Sequence, residues 1–226
     1  MWWGDPATAD GEPPWFDGLA ESTVGCTTTS HEWPLSFPRM MEAILDLHHF
    51  PFVHAAFARG AGPRLDPYRA VLDGDVIHVE GRLRTESGTG PSQDFRTRVR
   101  FPAVMLSETK VPVIVLGAPI DERRVWLHLR FYPRPGVSPL AGRIYSWSLK
   151  WAEEILIFPA DKRVLLSTEP ALSGEDANVL VHADGAIALW YKLAARAFDA
   201  AQGAGASAET GAGAEPGARA SAGSSA

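Results

Sequence analysis

The chain has 226 residues, of which 46% are hydrophobic and 21% are charged, and its formal net charge is −6. This length suits one domain with a tail, and scattered lysines and arginines in an acidic chain exclude a typical nucleic-acid-binding surface. No stretch reaches the roughly 18 consecutive apolar residues that a membrane span requires.

The whole sequence contains one cysteine, Cys26. A single cysteine excludes an intrachain disulfide framework and any metal site built from several thiolates. The N-terminal residues lack the basic and long apolar regions of a signal peptide. We therefore expect a soluble cytoplasmic protein without nucleic-acid or membrane partners.

The first predicted helix follows an irregular N-terminal segment. Residues 5–38 are rich in Pro, Gly, Thr and Ser, which predicts a connector with one short strand near "STVGCTTT". From residue 39 to 58, apolar residues such as Met40 and Ile44 recur at helical spacing. Pro51 has no N–H and its ring clashes one turn back, so we expect a kink or a loosened turn there.

Between Tyr68 and Tyr132 the pattern changes to alternation with a period of two. Short β-rich runs separated by Gly, Pro, Asp and Ser predict a meandering antiparallel sheet with one dry face. The predicted strands are "VIHVEGRLR", "DFRTRVRF", "AVMLSETK", "VPVIVLGAP" and "RRVWLHLRFY".

Helical patterns return after the strands. They cover 146–170 and 182–201, and in the second one Ile187, Trp190 and Tyr191 fall on one stripe. A strand region followed by such helices predicts an α+β fold with the C-terminal helix against the sheet. From residue 202 onward the composition is mostly Ala, Gly, Ser and Glu, which predicts a disordered tail.

Three of the seven histidines of the chain lie in "DLHHFPFVH", residues 46–54. They could be ordinary polar residues at a helix end. However, Asp46 and His49 lie on one helix face, where the carboxylate can fix the imidazole tautomer so that the other ring nitrogen binds a metal. In an unbroken helix His49 and His54 would point about 140° apart, so a break near Pro51 is needed to bring both rings together.

Two imidazoles and a carboxylate with open positions are typical of non-haem Fe(II) oxygenases. The run "EAILDLHHFPFVH" resembles the E-N-x-x-D-x-x-H-x-x-x-x-H helix in the catalytic domain of Rieske-type non-haem iron oxygenases. Glu42, Asp46, His49 and His54 match it, and Ala43 stands where the family has asparagine. The ending "HFPFVH" is similar to the branch that includes ketosteroid hydroxylases and vanillate demethylase.

The resemblance implies roles for particular residues. It makes His49 and His54 ligands of a mononuclear Fe(II), leaves His48 a bystander, and makes Asp46 the link to an adjacent Rieske cluster. The third ligand of the family is a distant aspartate, and "IFPADKRVLL" nominates Asp161. Spacing alone cannot select it over the other carboxylates of this region, which are Glu153, Glu154, Glu169 and Asp176.

The resemblance also implies the domain organisation. Residues 1–38 would be the connector left from a missing Rieske domain, 39–201 the iron domain with a helix-grip (START/SRPBCC-like) fold, and 202–226 the tail. A Rieske [2Fe–2S] centre needs two Cys and two His ligands, so a chain with one Cys cannot hold that cluster. Electrons would come from a separate Rieske or ferredoxin donor, and the resemblance allows a homotrimer.

The sequence leaves three functions open. The first is an oxygenase that uses O₂ to hydroxylate or demethylate an apolar aromatic or steroid-like substrate. The second is a metal-free binder of hydrophobic ligands on the same fold, and the third is a hydrolytic zinc site. Candidate pocket or core residues are Val113, Val115, Trp126 and Phe131.

Overall fold

Seven antiparallel strands form one sheet in the order β1-β7-β6-β5-β4-β3-β2. The computed structural model describes residues 15, 16, 19, 25–58, 60–108, 112–133, 136–170, 172 and 178–211, with the backbone alone for 203–211. The strands are β1 (Thr27–Trp33), β2 (Arg64–Asp73), β3 (Val76–Arg84), β4 (Ser92–Arg100), β5 (Val104–Glu108), β6 (Pro112–Asp121) and β7 (Arg124–Phe131).

The predicted strands are confirmed as β3 to β7, within about two residues at each end. Two further strands belong to the sheet. β2 begins four residues before the predicted start of the sheet at Tyr68, and β1 overlaps the short strand predicted near "STVGCTTT". β1 is an edge strand of the same sheet and pairs antiparallel with β7 from Thr27 to Trp33. β1 continues four residues past the predicted strand, because alternating burial in "TTTSHEW" suits a half-buried strand.

Alternation gives the sheet one dry face and an outer face that is polar along β4 but carries a small second hydrophobic cluster around Leu106 and Ile114. Along β4, Phe95, Thr97 and Val99 are buried, while the arginines between them lie on the opposite face. Those arginines pair with carboxylates of neighbouring segments, as in the Arg98–Glu108 contact of 2.7 Å. The dry face carries the main hydrophobic core.

The helices lie in three groups along the chain. The first comprises α1 (Phe37–Leu45) and α2 (Phe50–Val53). The second is continuous and comprises α3 (Pro139–Ala152), a π-helical segment (Glu153–Ile157) and α4 (Phe158–Leu166). The third is a 3₁₀ turn (His182–Asp184) followed by α5 (Gly185–Gly211).

The long C-terminal helix packs as its apolar stripe predicts. Ile187, Trp190 and Tyr191 of α5 are buried in the core, and Trp190 Nε1 donates to the Pro102 carbonyl at 2.8 Å. The predicted α+β class is confirmed, and the finer helix-grip assignment stays a prediction. Among the described residues, no helix combines the length and apolarity needed to cross a bilayer.

The C-terminal boundary differs from the prediction. Helix α5 continues to Gly211, so the first part of the segment predicted as a disordered tail is helical. Residues 202–211 contain three alanines and three glycines, so their helical form continues the alanine-rich turns before them and does not follow from their own composition. The rest of the predicted tail, 212–226, and most of the predicted connector before Gly25 lie outside the described residues.

Helix α1 packs closely on β6 at Gly117. A Cβ atom at this position would lie 2.7 Å from Met40 Sδ and would overlap the Met40 methyl group. Met40 is fully buried, so it has little room to move away.

We expect Gly117→Val to lower the free energy of unfolding by about 1–3 kcal/mol, because the new side chain overpacks the contact between α1 and the sheet. Urea unfolding followed by circular dichroism measures the change. Ala118→Val is the matched control, since Ala118 is the next residue of β6 and is exposed. Equal losses in both variants would contradict this packing argument.

Candidate metal centre

The carboxylate of Asp46 ends α1. Its Oδ1 accepts from the backbone N–H groups of His48 at 2.6 Å and His49 at 3.2 Å, and the Asp46 backbone is extended. The helix restarts at Phe50 with Pro51 in its first turn, where a proline costs no hydrogen bond. The predicted break therefore exists, but it precedes Pro51 instead of falling on it.

The break brings His49 and His54 together. The centroids of their rings are 5.2 Å apart, although an unbroken helix would aim them about 140° from each other. His54 is almost fully buried and its ring packs against the edge of Phe50, whereas His49 is partly exposed.

Asp161 in α4 completes the cluster. Its Oδ1 lies 2.8 Å from His54 Nε2 and 3.8 Å from His49 Nε2. One ligand atom from each of the three residues lies within 4.8 Å of the others, and the described part of the chain holds no second group of this kind. The three predicted ligands thus lie together, and their role as ligands stays a prediction.

His49 is oriented by the backbone of Asp46. Its Nδ1 lies 2.7 Å from the Asp46 carbonyl oxygen, and the nearest Asp46 carboxylate oxygen is 3.7 Å away. The sequence predicted the carboxylate as the partner, but that group is occupied by the two amides that end α1. Because a carbonyl can only accept, Nδ1 carries the proton and Nε2 presents its lone pair toward Asp161.

The other carboxylates considered for the third position lie elsewhere. Glu154 Oε1 accepts from the Thr29 hydroxyl and lies 3.4 Å from His31 Nε2, so it faces β1. Glu169 is exposed, and Asp176 lies outside the described residues. Glu153 is the exception, because it lines the same cavity as the cluster.

A cavity of about 510 Å³ lies beside the three residues. Val113, Val115 and Phe131, three of the four candidate pocket residues, line it from the sheet. The fourth, Trp126, is 40% exposed and stacks on His128, so its assignment to pocket or core is wrong. Side chains on β7 alternate between faces, and Trp126 falls on the outer one.

A buried polar cluster anchors α1 one turn before Asp46. Both oxygens of Glu42 are occupied: Arg39 Nη1 donates at 2.6 Å, Asn178 Nδ2 at 2.5 Å and Tyr191 OH at 2.5 Å. Glu42 therefore joins α1 to α5 and to the segment after α4. Sequence reasoning matched Glu42 to a motif without finding this role, because its partners are distant in the chain.

Burial changes the acidity of Glu153. Its carboxyl group lies at the cavity wall among apolar side chains, and this partial removal from water, with the charges of Asp161 and Glu154 added, raises its pKa from the ordinary 4.5 to about 8. No local sequence pattern indicates this shift, since several glutamates and aspartates share the same region.

Comparison with known proteins relates the fold to oxygenases. No protein-family model matches the sequence, and no curated protein matches it. Among solved structures, dicamba monooxygenase bound to dicamba superposes with a TM-score of 0.68 at 14% identity, covering 88% of this chain and 67% of its own.

Two further structures are similar. NdmA of Pseudomonas putida CBB5 gives a TM-score of 0.55 at 17% identity, covering 80% of this chain and 52% of its own. The quaternary ammonium Rieske monooxygenase CntA with L-carnitine gives 0.52 at 14% identity, covering 76% and 49%. The chain therefore spans about half the length of CntA. Its fold resembles the catalytic domains of Rieske monooxygenases, and identities this low establish similarity of fold alone.

The shifted pKa of Glu153 predicts a dependence of stability on pH. A folded-state pKa of about 8 against 4.5 means that the folded protein favours the protonated form. Metal-free wild type should therefore lose stability as pH rises from 4.5 to 8. Glu153→Gln removes this loss, and at pH values above about 8 it should be more stable than wild type by more than about 1 kcal/mol.

Urea unfolding at several pH values measures this difference, which should shrink as pH falls toward 4.5. Glu154→Gln is the matched control, because Glu154 is the next residue and has a hydrogen-bond partner on β1. The prediction would be contradicted if the free energies of unfolding of wild type and Glu153→Gln changed in parallel with pH.

Proposed function

We propose that the chain holds Fe(II) through His49, His54 and Asp161 and is the catalytic portion of a Rieske-type oxygenase. The observation that carries the proposal is the convergence of two imidazoles and one carboxylate at the wall of an apolar cavity. The similarity of fold to Rieske monooxygenases supports it independently of these three residues.

The donor set fits a ferrous ion. Bonds of about 2.0–2.2 Å at right angles place neighbouring ligand atoms about 3 Å apart. The His54–Asp161 separation of 2.8 Å meets this requirement, and the His49–Asp161 separation of 3.8 Å needs a small side-chain rotation. All three residues line the cavity, so an ion held by them would be accessible from it.

Each residue has a part in the proposed reaction. When bound, the iron would supply a centre at which dioxygen can be reduced next to the substrate. His49 and His54 hold it as neutral donors, and the Asp46 carbonyl keeps His49 in the required tautomer. The apolar walls hold the substrate and keep bulk water away from the reacting atoms.

Electrons must reach this site from outside the chain, which contains one cysteine. We assign Asp46 to this path, because it contacts His49 and is about 30% exposed. A solved structure of a quaternary ammonium Rieske monooxygenase gives insights into inter-subunit electron transfer. We extend that arrangement to this chain as a proposal, with a separate Rieske or ferredoxin donor and a homotrimer as the assembly.

A second candidate function needs no metal. The cavity of about 510 Å³ is large enough for a small apolar ligand, so the protein could bind one and carry out no chemistry. The His-His-Asp cluster argues against this alternative, since a simple binder gains nothing from it. Metal binding separates the two candidates.

We expect wild type to retain about one Fe(II) per chain after anaerobic reconstitution. His49→Ala, His54→Ala and Asp161→Ala should each weaken iron binding by about ten-fold or more, since each removes a ligand. Iron analysis and Fe(II) titration measure this. His48→Ala and Asp184→Asn are the matched controls, because the first is the adjacent histidine and the second removes another carboxylate of the cavity. Wild type that binds no Fe(II) would contradict the iron proposal and favour the metal-free binder.

Asp46→Asn should separate iron binding from electron delivery. An asparagine oxygen can still accept from the His48 and His49 amides, so the helix break and the iron should remain. Turnover that depends on a donor protein should fall about ten-fold or more. Oxidation driven by hydrogen peroxide, whose oxygen is already reduced, should be unchanged. Equal loss of both activities would show that Asp46 acts only through the structure of the site.

A further inference from the structure

The π-helical segment turns Glu153 toward the same side as Asp161. The Phe158 N–H donates to the Glu153 carbonyl, five residues back, so one turn holds an extra residue. In an unbroken α-helix, residues eight apart point about 80° from each other. With one residue absorbed in the π turn, the two side chains come within about 20° of alignment, two turns apart. Both line the cavity.

Glu153 and Glu154 are adjacent but have different surroundings. Glu154 is bound by Thr29 of β1. The Glu153 side chain is half-buried at the cavity wall, and its carboxyl group accepts no hydrogen bond from any residue that the structure describes. A carboxyl group that is partly removed from water without a hydrogen-bond partner costs stability. The Glu153 carboxyl group therefore lacks a hydrogen-bond donor among the described residues, and the space next to it is the cavity.

The cavity wall is acidic and aromatic. Among its described residues Arg39 is the sole lysine or arginine, and its guanidinium is held by Glu42 and by the Pro170 carbonyl at 2.6 Å. Hence the described part of the wall offers an anionic ligand no lysine or arginine whose charge is unpaired. The wall also carries five aromatic rings, from Trp33, Phe50, Phe95, Phe131 and Phe158.

We propose that the cavity selects an apolar molecule with a protonated amine, and that Glu153 is the residue that binds the ammonium group. An ammonium donates to the carboxyl group of Glu153, and aromatic faces attract cations through the ring quadrupole. The same features disfavour carboxylates, since the described wall has no unpaired lysine or arginine to bind them and Asp161 carries a like charge. The proposal names a substrate class for the proposed oxygenase and rests on that function only in calling the bound amine a substrate.

The raised pKa of Glu153 supports the same conclusion. Burial raises this pKa to about 8, which shows that the surrounding protein groups do not compensate a negative charge there. A bound ammonium supplies the missing compensation, so the amine and the carboxylate stabilise each other's charged form.

The test uses the full chain, freed of metal by a chelator, and three probes with one skeleton: 4-phenylbutylamine, 4-phenylbutanol and 4-phenylbutyrate. Working without metal prevents coordination of the amine to iron, and it keeps the outcome independent of whether the iron proposal holds. Isothermal titration calorimetry near neutral pH measures the three dissociation constants.

We expect wild type to bind the amine at least about ten-fold more tightly than the alcohol, a difference of about 1.4 kcal/mol. Among the three probes, 4-phenylbutyrate should bind most weakly. Glu153→Gln should lose about ten-fold for the amine and stay within about two-fold for the alcohol, which shows that its cavity is intact.

Glu154→Gln is the matched control, since it removes the same charge one residue away, and it should keep the preference for the amine. Amine and alcohol affinities that are equal in wild type would overturn the proposal. Equal losses in Glu153→Gln and Glu154→Gln would also overturn it, because they would assign the preference to general charge instead of to Glu153. The proposal would also be overturned if 4-phenylbutyrate bound more tightly than the other two probes.

Discussion

The hydrogen bonds that end α1 at Asp46 are the interaction from which the candidate metal centre follows. The side chain of Asp46 accepts from the amides of His48 and His49, and its carbonyl holds the His49 ring. Without this break, His49 and His54 would lie on different faces of one helix. Asp46 therefore sets both the direction of the chain and the orientation of the His49 ring in the candidate centre.

The third side chain reaches the centre through packing of the helix that carries it. Phe158, at the start of α4, is buried against the rings of Trp33 and His31 on β1. On the other side, Glu42 ties α1 to α5. These contacts hold α1, α4 and α5 around one cavity, although the residues are far apart in sequence. Solved structures at 14–17% identity are similar in fold, so the fold itself tolerates wide differences in sequence.

The π-helical turn connects the candidate centre with ligand selection. It rotates the start of the segment so that Glu153 faces the cavity and Glu154 faces the sheet. A regular α-helix would have turned Glu153 away from the side of Asp161. An extra residue in one helical turn is thus what places the Glu153 carboxyl group in an apolar cavity, and π turns are frequent at functional sites for reasons of this kind.

Patterns within short stretches of the sequence were sufficient for the local structure and for part of the cluster. Period-two alternation predicted β3 to β7, the helical stripe predicted α5, and the run from Asp46 to His54 predicted two of the clustered residues. Each of these patterns involves residues that are close together in the sequence. Asp161 was nominated only through the resemblance of "IFPADKRVLL" to a family pattern. Packing between distant segments set the rest: the place of β1 at the edge of the sheet and the absence of a hydrogen-bond partner for Glu153 among the described residues. Burial and pairing arise only when separate segments pack together, so no local pattern could have specified them.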